Sequence, residues 1–264
     1  MDLWLPSKPA IIQPAPKELL KPRLLRPVKQ ASILPGWFPA VVAAGGNRPR
    51  LEFLQGAVGT GIGTPITFTS QNLGAAADTR RIFVCVGANA TGGPITSITV
   101  GGNACTLHFS NSGGNLRGAI GSILIPSGTS ANVVVTATSG LTVASISMYR
   151  MTYDTGTPNN TPFDTDEFTQ SNGSDPAPTL TLDVPLNGFI LGSASFRLGT
   201  SITSITWTNL SEDYEAVLTG QVARHSTAHN ELMAAETGRV ITATVAGSGI
   251  SSTTSTVFHA LSWI

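Results

Sequence analysis

Two of the four histidines are spaced closely enough to suggest shared chemistry. His225 and His229 stand four residues apart, and Glu231 and Glu236 follow them. On a helix, this spacing would bring two imidazoles and a carboxylate together as ligands for a metal ion. The segment 224–230 has instead the composition of a strand or loop, in which residues four apart lie about 13 Å from each other. We therefore predict no metal or other cofactor site at these histidines.

The two cysteines, Cys85 and Cys105, are too few and too far apart for a zinc-binding pattern. Cys85 lies within an apolar run that is typical of a buried strand. One interpretation is two buried thiols that pack as small apolar groups, and the other is a disulfide between adjacent strands. The sequence leaves both open. His108 and His259 are flanked by apolar residues, and we expect them to fill edge or core positions.

Three short motifs resemble sites of known chemistry. Asp154-Thr-Gly156 matches the triplet of aspartic proteases, which need two carboxylates that share a proton, but the triplet occurs once. Asp164-Thr-Asp-Glu167 offers oxygen ligands for Ca²⁺ without the spacing and central glycine of an EF-hand loop, so we interpret it as a solvated acidic loop. The glycine-rich segment 56–63 lacks the strand–turn–helix context of a nucleotide-binding loop, and we interpret it as a flexible hinge.

These motifs do not add up to a catalytic constellation. The sequence shows no pairing of nucleophile and base, no metal-ligand set and no phosphate-binding loop, so we expect a non-enzymatic protein without a cofactor. The fifteen acidic residues leave open the two-carboxylate arrangement of a glycosidase.

A β-rich body would position these residues. Charged residues make up only 11% of the chain, and short runs such as Ile95–Val100 and Thr179–Val184 are separated by clusters of Gly, Pro, Asn and Ser. About a dozen such runs predict an all-β fold, a sandwich or jelly roll. Consecutive glycines in Val100-Gly-Gly-Asn-Ala104 predict a tight hairpin. Alternation along Ala144–Met151 predicts a strand with one buried and one wet face.

We divide the chain into an extended arm, residues 1–50, and a β-sandwich or jelly-roll domain, residues 51–264. Thr155–Pro178 is polar and contains four prolines, which favours a long loop, and a subdivision of the body near residues 155–178 is left open. The halves on either side share no clear sequence repeat, so we favour a single sandwich. Asn230–Glu236 is a short helix candidate, also left open.

The first fifty residues differ in charge from the rest of the chain. They contain eight Lys and Arg residues against Asp2 and Glu18, a formal charge of +6, and the remaining residues carry −6. Nine of the seventeen prolines lie here as well. Because each proline fixes φ and removes a backbone donor, a long helix is excluded and an extended, Pro-rich arm is predicted. At about 3.1 Å per residue, it would span on the order of 140 Å.

The arm is more apolar than an ordinary linker, which is rich in Ser, Gly, Glu and Lys. Glu18-Leu-Leu-Lys-Pro22 is followed by Arg23-Leu-Leu-Arg-Pro27, a near-repeat of a leucine pair, a cation and a proline. Such large side chains stay exposed to water unless a partner buries them, which favours docking on a protein surface. The predicted partner-binding residues are Leu3, Trp4, Leu5, Ile11, Ile12, Leu19, Leu20, Arg23, Leu24, Leu25, Arg26, Trp37 and Phe38.

Other roles of the arm fit its composition less well. It lacks the apolar run of a secretory signal and the eighteen apolar residues of a transmembrane helix, and its prolines disfavour a membrane-surface helix. Eight cations would suffice for phosphate contacts, but the Leu and Trp content exceeds what a nucleic-acid-binding tail needs. We therefore expect neither a membrane nor a nucleic acid as partner. A tail folded back on its own domain is the remaining alternative.

The order of arm and body is a feature of the whole chain. The arm ends in Leu34-Pro-Gly-Trp-Phe-Pro39, and the body contains Ile95-Thr-Ser-Ile-Thr-Val-Gly-Gly102 and Ile146-Ser-Met-Tyr-Arg-Met-Thr152. This layout resembles that of structural proteins of tailed bacteriophage virions, in which decoration, head-fibre and tail-fibre proteins combine an extended anchor with an exposed β-rich domain. The resemblance implies a homo-oligomer, with a trimer favoured.

The resemblance also implies a function. The protein would be a non-enzymatic virion component, assembled in the host cytoplasm, whose arm docks onto other virion proteins of the capsid or tail in a decoration, cement or fibre role. The alternative is a receptor- or glycan-binding tail-fibre module. In that case Thr155–Pro178 and Trp207–Tyr214 would contact a cell surface, because glycan sites use aromatic platforms with polar neighbours.

Overall fold

The described residues form β-strands, turns and loops. In this computed structural model they are residues 48–153, 158–219, 222–231, 234–248 and 254–264. Over these ranges, seventeen strands form four antiparallel sheets. The predicted all-β class is confirmed, while almost all of the predicted arm lies outside the described residues.

The first half of the body contains nine strands. An inner sheet has the strand order β1-β9-β3-β7-β6, and an outer sheet has the order β2-β8-β4-β5. The bounds are β1 (Pro49–Gly63), β2 (Ile66–Asn72), β3 (Arg81–Ala90), β4 (Ile95–Val100), β5 (Asn103–Ala104), β6 (Thr106–Gly113), β7 (Leu116–Leu124), β8 (Ser130–Ala137) and β9 (Leu141–Tyr153).

The second half contains eight strands in the described ranges. Its inner sheet has the order β10-β17-β12-β15-β14, and its outer sheet has the order β11-β16-β13. The bounds are β10 (Asp164–Gly173), β11 (Thr179–Val184), β12 (Phe189–Arg197), β13 (Ile202–Thr208), β14 (Ser211–Thr219), β15 (Ala223–Glu231), β16 (Glu236–Gly247) and β17 (Thr254–Trp263).

The two halves share one topology. With the two-residue β5 set aside, each half has eight strands, and each inner sheet takes them in the order first, eighth, third, sixth, fifth. Each outer sheet takes the second, seventh and fourth. The sequence shows no such repeat, because the strand order depends on where strands and turns fall and not on matching residues.

The sheets pack as successive layers with separate cores. Val84 of β3 packs with Ile98 and Val135 between the first inner and outer sheets. A corresponding core fills the space between the inner and outer sheets of the second half. Phe83, on the opposite face of β3, packs with Trp263 of β17 in a third core where the two inner sheets meet. The central strands of the inner sheets, such as β3 and β12, are therefore buried on both faces.

This double burial corrects the expectation of a wet face on Ala144–Met151. Ile146 and Met148 of β9 face the first outer sheet, and Ser147, Tyr149 and Met151 are equally inaccessible on the other side. The small and polar residues of that side are covered by the second half of the body. In β9, the alternation of apolar and polar residues therefore marks a face that packs on another sheet and not a face in contact with water.

Three further expectations can be compared with the structure. The glycine-rich segment 56–63 is not a hinge, because it belongs to β1 and pairs with β9. The polar stretch within Thr155–Pro178 is not one long loop, because residues 164–173 form β10 beside β17. The hairpin at Val100 is confirmed, with Val100 opposite Asn103 and positive φ at both glycines between them.

The helix candidate Asn230–Glu236 contains strand ends where it is described. Asn230 and Glu231 close β15, and Glu236 opens β16.

Candidate functional site

The contact between the two inner sheets, which we call the seam, is built from small residues and histidines. Gly87 of β3 faces β12 and β15 so closely that a Cβ atom there would lie 2.5 Å from Ser195 Oγ and 2.5 Å from His225 Cγ. A Cβ at Gly118 of β7 would lie 2.5 Å from Val257 Cγ1. Glycine is therefore required at these positions by the close approach of the sheets.

The histidines of the seam are neutral packing groups. His225 is inaccessible to solvent, and its two ring nitrogens lie 3.1 Å from Ser193 Oγ and 3.1 Å from Ser145 Oγ. Burial lowers the pKa of His225 to about 3. Burial, and then repulsion from His225, lowers the pKa of His259 to about 3. His259 stacks on Phe109 at 4.7 Å. Both histidines stay uncharged near neutral pH and join the halves.

A carboxylate lies at the edge of the seam. Asp213 Oδ2 accepts hydrogen bonds from His229 Nδ1, at 2.7 Å, and from the Tyr149 hydroxyl, at 2.9 Å. Tyr149 also lies 2.8 Å from Thr227 Oγ1. Burial first, and then the nearby Cys85 and Asp213, raise the pKa of Tyr149. Asp213 thus orients His229, as a carboxylate orients a general base. The same carboxylate oxygen also binds the hydroxyl of Tyr149, which is fully buried.

The cysteines are free thiols on opposite faces of the first inner sheet. Cys85 packs in the core between the two inner sheets, and Cys105 packs against the core shared with the outer sheet. Of the two interpretations left open by the sequence, the structure therefore selects the separate thiols. Burial raises the pKa of Cys85 well above its usual value and that of Cys105 to about 12. Both therefore remain protonated near neutral pH.

The acidic segment of β10 accepts hydrogen bonds from backbone amides. Asp164 Oδ2 accepts from the Asp183 amide at 2.7 Å, and Asp166 Oδ2 accepts from the Thr181 amide at 2.8 Å. These carboxylates tie β10 of the inner sheet to β11 of the outer sheet. The segment is therefore a strand whose aspartates bind the backbone of β11. The expectation of a loop is wrong.

A polar cleft of about 440 Å³ opens at one end of the body, between the halves. Five elements line it, including the β6–β7 turn at Gly114 and Asn115 and the C-terminal end of β12 at Arg197. Asn172 of β10 and Ser255 of β17 complete its polar wall, and Leu198 and Val222 supply apolar surface. Among the described lining residues, Arg197 is the one that carries a charge.

A second cavity of about 340 Å³ lies at the opposite end of the strands, where β1 begins. Its charges are paired internally. Arg150 contacts Glu52 at 2.5 Å, and Glu231 accepts a hydrogen bond from the Leu51 amide at 2.8 Å. These carboxylates and this guanidinium bind one another and the backbone, so we interpret them as groups that hold β1 in place.

The residues predicted to bind a partner, from Leu3 to Phe38, lie outside the described residues, as does Asp154-Thr-Gly156. Within the two segments of the receptor-binding alternative, Trp207 and Tyr214 are engaged internally, whereas Phe163 is 56% exposed. Trp207 donates to Ser226 Oγ at 2.8 Å and packs against Phe258. Tyr214 packs over Gly56 and Phe53. Neither ring forms an exposed platform.

The described ranges lack two features that would indicate a metal ligand set or a membrane span. In these ranges, no three His, Cys, Asp or Glu side chains are grouped closely enough to hold a metal ion. The same part of the chain contains no helix with the length and apolar character needed to cross a membrane. No protein-family model matches the chain, and no curated protein is significantly similar to it.

Sequence reasoning missed the residues that line the polar cleft. Asn115, Asn172, Arg197 and Ser255 are far apart in the chain and form no motif. One local signal existed at Asn172, because the pair Asn172-Gly173 marks a turn, and Asn172 does adopt a left-handed φ of 58°. Nothing in the sequence connects that turn to Arg197.

Proposed function

We propose that this protein is a non-enzymatic structural component of a tailed-phage virion, which docks onto other virion proteins through the arm, residues 1–50. One observation carries the proposal: a +6, Pro-rich segment with sixteen large apolar side chains precedes a body whose net charge is −6. The basic residues complement acidic protein surfaces, and the apolar residues supply contacts that water disfavours.

The number of apolar anchors makes this docking strong. Burying a large apolar side chain contributes about 1.5 kcal/mol or more. Sixteen of them give a gross stabilisation on the order of tens of kcal/mol before the cost of ordering the arm. Such an arm would hold the protein on a particle for the particle's lifetime, as a decoration, cement or fibre protein requires.

The body supports a scaffold role. Its side chains of the most reactive types are fully buried and held uncharged. They are His225, His259, Cys85 and Tyr149. Each half has the eight-strand, two-sheet layout of a jelly roll in which the fifth strand has joined the inner sheet. This layout supports the proposed virion role, for which we propose assembly in the host cytoplasm and a homotrimer as the favoured oligomer.

Deleting residues 1–45 tests the proposal. We expect the truncated protein to keep its melting temperature and to be absent from purified particles that incorporate the full-length protein supplied in trans. Incorporation of the truncated protein at normal occupancy would refute the docking role of the arm.

Two full-length variants separate the apolar contribution from the charge contribution. Replacing Leu19, Leu20, Leu24 and Leu25 with serine removes anchors and keeps the charge, whereas replacing Arg23 and Arg26 with serine does the reverse. We expect the leucine variant to lose most of its occupancy at every salt concentration. The arginine variant should lose occupancy in a salt-dependent way.

A further inference from the structure

We propose that the polar cleft between the β6–β7 turn and the end of β12 is a binding site for a carboxylate-bearing saccharide, with Arg197 as the residue that pairs with the carboxylate. The site goes beyond the structural role proposed above and does not depend on it. It also differs from the aromatic platform expected for a glycan site, since it uses a cation and amides instead.

The first argument is the unused hydrogen-bonding capacity of Arg197. Arg80 donates to the carbonyls of Leu73, Gly74, Ile125 and Ser127, and Arg117 donates to those of Gly92, Gly93, Gly114 and Leu116. Within the described residues, Arg197 forms one hydrogen bond, from Nη1 to Asn89 Oδ1 at 3.3 Å. A guanidinium has five N–H donors, so most of those of Arg197 are available to a ligand.

The second argument is the charge of the lining. No Asp or Glu is among the described residues that line the cleft. A half-buried guanidinium without a carboxylate partner attracts an anion, and a planar carboxylate can accept two parallel hydrogen bonds from it. Since a single arginine provides the charge, one carboxylate matches it better than the repeated phosphates of a nucleic acid.

The third argument is the chemistry of the remaining wall. The side chains of Asn115 and Asn172 are exposed at the cleft, with Ser255 beside them. Amides and hydroxyls both donate and accept, as the hydroxyls of a sugar do. Leu198 and Val222 offer apolar surface for the C–H face of a sugar ring. The volume of about 440 Å³ lies in the range of small-molecule sites.

The wall is also held in place before any ligand binds. Arg117 Nη1 donates to Gly114 O at 2.7 Å, Gly114 N donates to Ser171 Oγ at 2.6 Å, and the Ala90 amide donates to Asn115 O at 3.0 Å. On the opposite side, the Leu198 amide donates to Val222 O at 2.9 Å. A ligand therefore does not have to order the backbone, which lowers the entropic cost of binding.

The position of the cleft suits a ligand that comes from outside an assembly. Asn115 is bonded to Ala90, which pairs with Leu141 at one end of β9, and the other end of β9, Tyr153, pairs with Pro49 where β1 begins. The twelve steps along β9 span about 40 Å. If the chain preceding β1 is attached to a particle, the cleft lies at the end of the body that remains accessible.

The test is binding of acidic and neutral sugars to the full-length protein, measured by calorimetry and ligand-observed NMR. Glucuronic acid and N-acetylneuraminic acid are the acidic probes, and glucose and N-acetylglucosamine are the neutral ones. We expect the acidic sugars to bind at least tenfold more tightly than the neutral ones. Arg197→Gln should remove about tenfold or more of the affinity, which is the effect expected for one charge-assisted pair.

Two further variants control for folding and for general charge loss. Arg239→Gln removes an arginine that is paired with Glu236 on the outer sheet, and it should leave sugar binding unchanged. Asn172→Gly removes an amide from the wall at a left-handed position that glycine adopts without strain. It should weaken binding severalfold with an unchanged melting temperature, even if Arg197→Gln proves unstable.

Three outcomes of the sugar-binding measurements would overturn the proposal. They are no binding of either acidic sugar, equal binding of acidic and neutral sugars, and binding that Arg197→Gln and Asn172→Gly leave intact. A glutamyl peptide that competes more strongly than the acidic sugars would also overturn it, in favour of an acidic protein partner. None of these results bears on incorporation through the arm, which is measured on particles.

Discussion

Buried imidazoles in the seam make the stability of the body sensitive to acid. His225 and His259 are inaccessible to solvent, and neither ring nitrogen of His259 has a hydrogen-bond partner among the described residues. A protonated imidazole would place a charge in a layer of serine hydroxyls and aromatic rings, and the carboxylate of Glu167, which lies opposite His259 on β10, is exposed to solvent. In the unfolded chain, both imidazoles are in water and can take up a proton at their ordinary pKa.

We therefore predict that the free energy of unfolding falls as the pH drops below about 6.5. The folded pKa values of His225 and His259, about 3, lie below the ordinary value of 6.5, so the unfolded state binds protons first and stability is lost between these two values. From pH 7 to pH 5, each histidine should cost on the order of 2 kcal/mol. Urea unfolding at a series of pH values measures this loss.

His259→Phe isolates one of the two contributions. The phenyl ring can keep the stack on Phe109 and does not titrate, so the variant should lose less stability than the wild type between pH 7 and pH 5. An unchanged pH dependence would show that His259 is not held neutral in the folded protein.

Gly87 tests the close approach of the two inner sheets. Gly87→Ala would place a Cβ 2.5 Å from Ser195 Oγ and from the ring of His225, and neither neighbour is the end of a long flexible side chain. We expect a loss of about 1–3 kcal/mol in the free energy of unfolding. The matched control is Gly61→Ala, which also lies in a strand but has no atom within 4 Å of the new Cβ. If both variants unfold at the same urea concentration, the seam is looser than described.

At the scale of elements, edge strands are stabilised by side chains as well as by backbone pairing. β10 alternates half-buried and exposed residues from Asp164 to Ser171, and it has few apolar groups to bury. Asp164 and Asp166 supply part of its stabilisation by accepting hydrogen bonds from the amides of β11. This arrangement also covers amides of β11 that would otherwise be available to another strand.

Asp166→Ala should therefore loosen the contact between β10 and β11. Loss of the acceptor for the Thr181 amide should cost about 1 kcal/mol and speed hydrogen exchange at that amide about fivefold. Glu167→Ala, which removes the adjacent exposed acid, is the charge-matched control and should leave exchange unchanged. Equal exchange in the two variants would assign the effect to net charge.

At the scale of the whole molecule, the arm and the body should differ in their response to proteases. Eight of the fifteen Lys and Arg residues lie in the first fifty positions, and the prolines there disfavour regular structure. We expect trypsin to cut the isolated protein after Lys17, Arg23 and Lys29 and to leave a fragment that begins at Gln30, because Arg48 precedes Pro49 and Arg50 pairs with Thr152 within β1. On assembled particles, the same sites should be protected by the docking partner. Cleavage at equal rates in both states would contradict the proposed docking.

The strands that sequence analysis located best are those with local signals. Ile95–Val100 and Thr179–Val184 were predicted with the bounds that the structure shows for β4 and β11, because β-branched residues and flanking turn residues mark them. β1 was missed along its whole length, in part because half of it is rich in glycine. β10 was missed because its residues are polar, and these edge strands depend on neighbours that are distant in the sequence.

The candidate site was less accessible to sequence reasoning. The predicted edge or core position of His259 follows from its apolar neighbours, but the contact of Gly87 with His225 exists only because two sheets stack face to face. The polar cleft likewise brings residues from five elements together. The spacing of Asn115 and Arg197 in the sequence does not predict that they line the same cleft.

The sequence by itself determined the all-β class, most strand positions, the hairpin at Val100 and the contrast between a basic, apolar arm and an acidic body. These properties depend on composition and on residues a few positions apart. Only the tertiary structure decided that the body consists of two halves with one topology, that the cysteines lie on opposite faces of a sheet, and that Arg197 faces a cleft with most of its donors unused. The physical reason is that sheet stacking is set by long-range packing, in which small residues such as Gly87 allow contacts that no local pattern specifies.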